Sequence, residues 1–243
     1  KRGHRVTLAE KGDRLGGQFN LAWQAPGKEK MKDGLENLAL QVKNGADAVL
    51  TDKIVDAALV AEIKPDLLVW ATGARQRIPD IEGLDSQYSM TSLEYFGAAK
   101  PVKGPRVMVI GAGRTGLEIA EKLGAQGLEV TATKRTDPIG SMMEMITKKL
   151  ALMHIDQMNN VTLMPHTTVK RFESDKVTVK KDGERIELAP FDTVILASGM
   201  LSAPAPDPEI AQTVSTVEVI GDAENVMDIY SAIHAGYDLA AKY

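Results

Sequence analysis

Arg106–Lys134 reads RVMVIGAGRTGLEIAEKLGAQGLEVTATK, and the order of signals in this stretch decides the fold. The apolar run Val107–Ile110 predicts a buried parallel strand. Gly111, Gly113 and Gly116 follow as G-x-G-x-x-G at the point where a helix should start. Leu117, Ala120 and Leu123/Gly124 give that helix an apolar stripe, Gly127 ends it, and Glu129–Thr133 predicts a second strand. Glycine-rich turns are common, so the motif alone says little. Strand, motif, helix and strand in this order point to a dinucleotide-binding fold. The chemistry accounts for the glycines: one makes the tight turn, one lets backbone approach a pyrophosphate, and one packs helix on strand. The pyrophosphate would rest on free N–H groups at the positive end of the helix.

The N-terminus repeats part of this unit. Gly3-His4-Arg5-Val6-Thr7-Leu8-Ala9-Glu10-Lys11 aligns with Gly127-Leu128-Glu129-Val130-Thr131-Ala132-Thr133-Lys134-Arg135. Gly111 lies 16 residues before Gly127, so its counterpart in the first copy would fall before Lys1. The expectation is a first copy without its opening strand, glycine loop and helix. A domain that simply opens on an edge strand is the alternative. Glu10 ends its strand where a ribose-binding acid belongs, which favours the truncated copy.

Elsewhere, Met31, Leu35, Leu38 and Val42 space a helix over Lys28–Lys43, stopped by Asn44-Gly45. Strands are expected at Ala48–Leu50 and Asp66–Trp70, the second buried, with a short helix over Asp56–Ile63 between them. Met90–Ala99 is expected to be helical and Lys100–Pro105 a linker. A helix is expected over Ser141–Met158, with Met142, Met145, Met153 and Met158 filling core. Four short strands follow from Val161 to Leu188, with Asp182-Gly183 as a hairpin turn. Thr193–Ala197 is a buried strand entering Ala197-Ser198-Gly199, which matches Ala71-Thr72-Gly73. Val217–Ile220 runs into Gly221-Asp222, and Met227–Lys242 forms the closing helix. Two nested α/β units result.

Composition narrows the function classes. The chain has 243 residues and a net charge of −4, so it offers no basic face for nucleic acid; runs such as Lys148-Lys149 and Lys180-Lys181 suit solvated faces. No apolar run approaches the ~18 residues of a membrane span, and a cytoplasmic location is the default expectation. With no cysteine, disulfides, thiolate metal sites and Cys-x-x-Cys relays are excluded within these residues, and a thioredoxin-reductase-like enzyme with them. His4, His154, His166 and His234 share no spacing with acids or one another, so no metal site is expected.

The nested arrangement resembles the two-dinucleotide-binding flavoproteins, in which a nicotinamide domain is inserted into an FAD domain. Leu15-Gly16-Gly17-Gln18-Phe19-Asn20 through Gln24-Ala25-Pro26-Gly27-Lys28-Glu29 narrows the match. It is similar to the 2,4-dienoyl-CoA reductase and trimethylamine dehydrogenase family. The resemblance covers essentially the whole chain. It implies two Rossmann-like three-layer domains of the pyridine nucleotide-disulfide reductase type, the first lacking its opening βα unit. Residues 1–100 plus 201–243 would be the FAD-binding domain and 101–200 the inserted NAD(P)H-binding domain. In that family an N-terminal barrel carries FMN and a 4Fe-4S cluster. The implied partners are therefore small-molecule nucleotides and that barrel, with no nucleic acid or membrane, in a form compatible with a homo-oligomer.

Residue by residue, the resemblance implies that Glu10 holds the FAD ribose and that Gly16, Gly17 and Gln18 line the passage toward the flavin. Gly73 would lie beside the cofactor, and Gly221 and Asp222 would meet the ribityl and pyrophosphate portion. Gly111, Gly113, Arg114, Thr115 and Gly116 would cradle the nicotinamide nucleotide, with Glu118 near the nicotinamide as the catalytic candidate and Gly199 closing the site. Asp222 could instead only cap the last helix, and Glu118 only complement a helix dipole. Lys134 and Arg135 stand where an NAD site places an acid, so NADPH is expected over NADH. Hydride transfer from nicotinamide to flavin needs no side-chain nucleophile, in keeping with the lack of any Ser/His/Asp constellation. The alternative is a structural module that binds only ADP; the intact glycine motif speaks against it. The chain by itself is expected to be inactive.

Overall fold

The structure, a computed structural model, describes residues 3–136 and 138–243. They fall into two compact units, one of Lys1–Asn20, Lys30–Arg75 and Met200–Tyr243, the other of Leu21–Glu29 and Gln76–Gly199. The first unit begins with β1 (Thr7–Ala9), α1 (Phe19–Ala22), which runs past its edge, and α2 (Met31–Gly45). It continues through β2 (Ala48–Leu50), α3 (Ala57–Ile63), β3 (Leu68–Trp70) and β4 (Ala74–Gln76). β1 and β2 pair in parallel. Asp56 caps α3 by accepting from Leu59 N–H at 2.8 Å, and Lys64 ends it in the left-handed conformation just before Pro65.

The second unit holds β5 (Ser89–Thr91), α4 (Ser92–Phe96), β6 (Arg106–Ile110), α5 (Arg114–Ala125), β7 (Glu129–Thr133) and α6 (Met145–Asp156). There follow β8 (Val161–Met164), β9 (Thr167–Phe172), β10 (Val177–Lys181), β11 (Glu184–Leu188) and β12 (Thr193–Leu196). Its sheet is parallel in the order β5-β12-β6-β7-β8. Strand alternation sorts the side chains into two cores. Val107, Val109 and Ile195 face a layer that includes Phe96, Ile119 and Leu123. Met108, Ile110, Val194 and Leu196 face the antiparallel meander β9–β10–β11. Burial on both faces is why these strands are apolar throughout. Asp182 and Gly183 turn the β10–β11 hairpin with φ of 49° and 94°, as a two-residue turn of the primed type requires.

The chain then returns to the first unit with β13 (Met200–Ser202), α7 (Pro208–Gln212), β14 (Val217–Val219) and α8 (Ile229–Lys242). β14 pairs in parallel with β3, and β13 pairs with β4. Val60, Ile210 and Val214 form the buried centre here, with Leu68, Trp70 and Val217 against it. No helix among the described residues is long and apolar enough to cross a membrane. No group of three or more His, Asp or Glu among them could hold a metal ion.

Several expectations need correction. By compactness the chain divides at Arg75/Gln76, and Leu21–Glu29 goes with the second unit. The cause is packing: Met90 and Ala25 are each 1% exposed within that unit's core. The helix expected over Met90–Ala99 is split, because Ser89–Thr91 adds to the sheet edge and Thr91 then opens α4 with a capping box to Glu94. Lys100–Pro105 is no free linker, since Thr193 Oγ1 accepts from Lys103 N–H at 2.9 Å and donates to Lys103 O at 2.8 Å. α6 starts only at Met145, capped by Glu144, and its core face is Ala151 and Ile155, one turn apart. Met142, Met145 and Met153 consequently point outward. β3 is not a buried strand either, as Val69 is exposed. In the first unit the β1–β2 and β3–β14 ladders are separate two-stranded sheets.

Ile195→Ala removes a fully buried side chain from the middle of the five-stranded sheet, and the expected loss is about 2–5 kcal/mol in urea unfolding. Leu150→Ala on the outer face of α6, where the side chain is exposed, should change stability by no more than about 0.5 kcal/mol.

Candidate functional site

The end of β6 builds the principal site. Gly111 takes φ 105°, and a Cβ on it would lie 2.4 Å from Ala197 O. A Cβ on Gly116 would lie 1.9 Å from Gly111 O, so only glycine lets α5 approach the strand this closely. Gly113 differs from both. Its φ is −77°, and a Cβ there would meet only Ser141 Oγ at 3.8 Å and Lys134 Nζ at 4.0 Å. The described residues thus leave the space beside Gly113 open, which is where a pyrophosphate would approach backbone.

The donors fit that ligand. Gly111 and Ala112 both give their N–H to Thr133 O, at 2.9 and 2.8 Å. The first-turn N–H groups of Arg114, Thr115 and Gly116 have no acceptor within the helix and stand at its positive end. The chain after β7 folds over the loop: Gly140 N–H donates to Ala112 O at 2.9 Å, and the Arg114 guanidinium donates to Met142 O. Arg114, Thr115 and Lys134 are half-buried, Arg135 exposed.

The repeat is preserved down to single hydrogen bonds. Lys134 N–H donates to Met164 O and its carbonyl accepts from Thr167 N–H, both at 2.9 Å. Glu10 does the same with Leu50 O at 2.8 Å and Lys53 N–H at 2.9 Å. An acid in one unit and a cation in the other therefore occupy equivalent positions. Glu10 Oε1 also accepts from Gly12 N–H at 2.8 Å.

Glu118, on the second turn of α5, is 6% exposed. Its carboxylate pairs with Lys28 Nζ at 2.5 Å. Lys122 Nζ, one turn on, donates to Gln24 O at 2.9 Å. Lys28 received no role from the sequence. The 90-residue separation from Glu118 hides the pair, and the only available signal was its place after Pro26-Gly27. Gly199 O accepts from Gln76 Nε2 at 2.8 Å and from Arg77 N–H at 3.0 Å.

In the first unit, Gly16 takes φ 112° and a Cβ there would strike Leu35 Cδ1 at 2.6 Å. Gly17 also has positive φ, and Gln18 Nε2 donates to Ala74 O at 2.6 Å. Gly73 O accepts from Ala203 N–H at 2.9 Å, and Ser202 Oγ donates to Glu224 O at 3.3 Å. Gly16–Gln18, Gly73 and the Gly221–Asp222 turn are thereby linked through their neighbours, whereas among the described residues the Glu10 carboxylate bonds only to Gly12 N–H. Asp222 does not cap α8. It accepts from Met227 N–H at 3.0 Å, and Asp228 is the cap, accepting from Ser231 N–H at 2.8 Å.

The profile of the family described as "Pyridine nucleotide-disulphide oxidoreductase" matches residues 1–230. The chain is 29% identical over 247 residues to an NADH oxidase of Thermoanaerobacter brockii, covering 99% of this chain and 37% of that protein. The solved structure of a 2-naphthoyl-CoA reductase with 2-naphthoyl-CoA superposes with a TM-score of 0.90 at 26% identity, covering 100% of this chain and 36% of that one. Histamine dehydrogenase from Rhizobium sp. 4-9 shares the fold, with a TM-score of 0.85 at 18% identity over 99% of this chain and 40% of that one. The chain thus spans well under half the length of each.

The three glycines should separate on mutation. Gly116→Ala is expected to cost several kcal/mol of stability, because the clash is with backbone. Gly113→Ala should leave stability within about 1 kcal/mol of the original and still weaken nucleotide binding; urea unfolding beside calorimetric titration distinguishes the two. Lys28→Met leaves the Glu118 carboxylate buried and unpaired, at an expected cost of about 2–3 kcal/mol, which adding Glu118→Gln should partly restore.

Proposed function

The chain belongs to the pyridine nucleotide-disulphide oxidoreductase family, and on that premise we propose that it is the nucleotide-binding reductase portion of a longer flavin-dependent oxidoreductase of the 2,4-dienoyl-CoA reductase and trimethylamine dehydrogenase type. The observation that carries this reading is the open cradle at Gly113, with helix N–H groups below it and Lys134 beside it. When bound, a nicotinamide would supply a hydride to FAD, whose electrons would then pass to an FMN and 4Fe-4S barrel elsewhere in the longer protein. Disulfide chemistry has no place within these residues, which contain no cysteine.

The second unit's residues suit NAD(P)H. Arg114, Thr115 and Gly116 would hold the pyrophosphate, and the ion pair with Lys28 would fix the direction of the Glu118 carboxylate on α5. Glu118 acts in this reading as an orienting acid for the nicotinamide end. NADPH is favoured over NADH, because a basic residue after β7, where an NAD site places an acid, would attract a 2′-phosphate that an acid would repel.

The first unit's fit to FAD is partial. Glu10 offers a carboxylate at a strand end for a ribose, and Gly16–Gln18, Gly73 and Gly221–Asp222 form one linked group. No glycine cradle at a helix start stands beside β1 among the described residues, so these residues alone do not complete a flavin site. In the second unit β6 lies between β7 and β12. In the first unit the corresponding strands β1 and β3 belong to separate two-stranded sheets, β1-β2 and β14-β3.

Two measurements test the reading. Calorimetric titration should show NADPH binding roughly tenfold tighter than NADH, a preference of ~1–2 kcal/mol after screening, and Lys134→Glu/Arg135→Ala should abolish it; equal affinities in the original chain would remove NADPH from the proposal. The visible spectrum of the purified chain with added FAD should show weak or no flavin binding. A stoichiometric yellow protein would contradict the missing strand and helix.

A further inference from the structure

The two cations that follow β7 do not share an environment. Lys134 is held by backbone bonds on both sides, to Met164 O and from Thr167 N–H. Its half-buried side chain turns to the glycine loop, with Nζ 4.0 Å from where a Gly113 Cβ would stand. Arg135, one residue further, is exposed, and neither it nor Lys134 has a carboxylate partner among the described residues. Arg114, the other cation at the loop, already gives its guanidinium to Met142 O. Among the described residues Lys134 is therefore the uncommitted charge at the cradle itself.

We propose that Lys134 binds the pyrophosphate common to NADH and NADPH, and that Arg135 alone reads the 2′-phosphate. This rests on reading the second unit as an NAD(P)H site. The side chains suit the division. A lysine ammonium is a compact point charge for a diphosphate already held by backbone N–H groups. Arginine's planar fork can grip two oxygens of a terminal phosphate, which carries close to two charges at neutral pH. The equivalent residue in the first unit, Glu10, bends back to Gly12 N–H. Among the described residues the Glu10 side chain thus closes on its own turn, whereas that of Lys134 reaches the glycine loop.

ADP and 2′-AMP separate the two roles, because the first has a diphosphate without a 2′-phosphate and the second the reverse. Both are titrated calorimetrically, with NADH and NADPH, into the original chain, Lys134→Met, Lys134→Arg and Arg135→Ala, each checked for native circular dichroism. Lys134→Met should weaken ADP, NADH and NADPH alike, by roughly tenfold, the size of one screened charge-assisted contact. It should leave 2′-AMP unchanged, and Lys134→Arg should retain ADP binding. Arg135→Ala should weaken 2′-AMP and NADPH by a similar factor and leave ADP and NADH alone. A Lys134→Met chain that loses 2′-AMP more than ADP, or whose NADPH to NADH ratio shifts, overturns the assignment. Equal binding of NADPH and NADH by the original chain would end the role of Arg135 together with the NADPH preference. The role of Lys134 would then still stand or fall on ADP. No ADP binding by the original chain would overturn the nucleotide site itself.

Discussion

The contact of α5 with β6 is made backbone to backbone. A methyl group on Gly116 would sit 1.9 Å from Gly111 O, so the helix can start hard against the strand end only while both positions lack side chains. That approach fixes where the first-turn N–H groups lie, and the rest of the second unit follows from it. β7 and β12 flank β6 on either side, and Thr133 O takes the two loop N–H groups that do not face outward. The remaining first-turn donors have no acceptor within the helix.

The same design is used twice with opposite charge. Glu10 and Lys134 make matching backbone bonds to the next strand and to the residue three positions beyond its end. A shared scaffold therefore presents a carboxylate in one unit and an ammonium in the other. A carboxylate accepts hydrogen bonds from ribose hydroxyls, whereas an ammonium attracts phosphate. Under the proposed reading, the residue at one strand end would set which part of a nucleotide is recognised, on a fold that is the same around both.

Leu21–Glu29 shows how a short stretch can serve a unit to which its neighbours in sequence do not belong. Ala25 is buried in the second unit's core, Gln24 O takes Lys122 Nζ, and Lys28 neutralises Glu118. A buried carboxylate without a cation would carry a large desolvation penalty. The identity of Glu118 and the placement of this stretch thus depend on each other.

The sequence by itself determined four of the five strands of the second unit's sheet, its glycine loop and the repeat, because these rest on local periodicity and on spacing between near neighbours. Strand alternation, the G-x-G-x-x-G spacing and the Asp182-Gly183 turn are all legible within a few residues. Tertiary structure alone decided what depends on distant partners. It moved Gln76–Lys100 into the second unit, since an edge strand at Ser89–Thr91 becomes visible only when β12 stands beside it. It turned Met142, Met145 and Met153 outward, since methionine composition does not say which helix face meets the core. It joined Lys28 to Glu118 and brought Lys134 Nζ to Gly113, pairs separated by 90 residues and by the whole of α5 and β7. Those contacts arise from the folded path of the backbone, which no local pattern of residue types encodes.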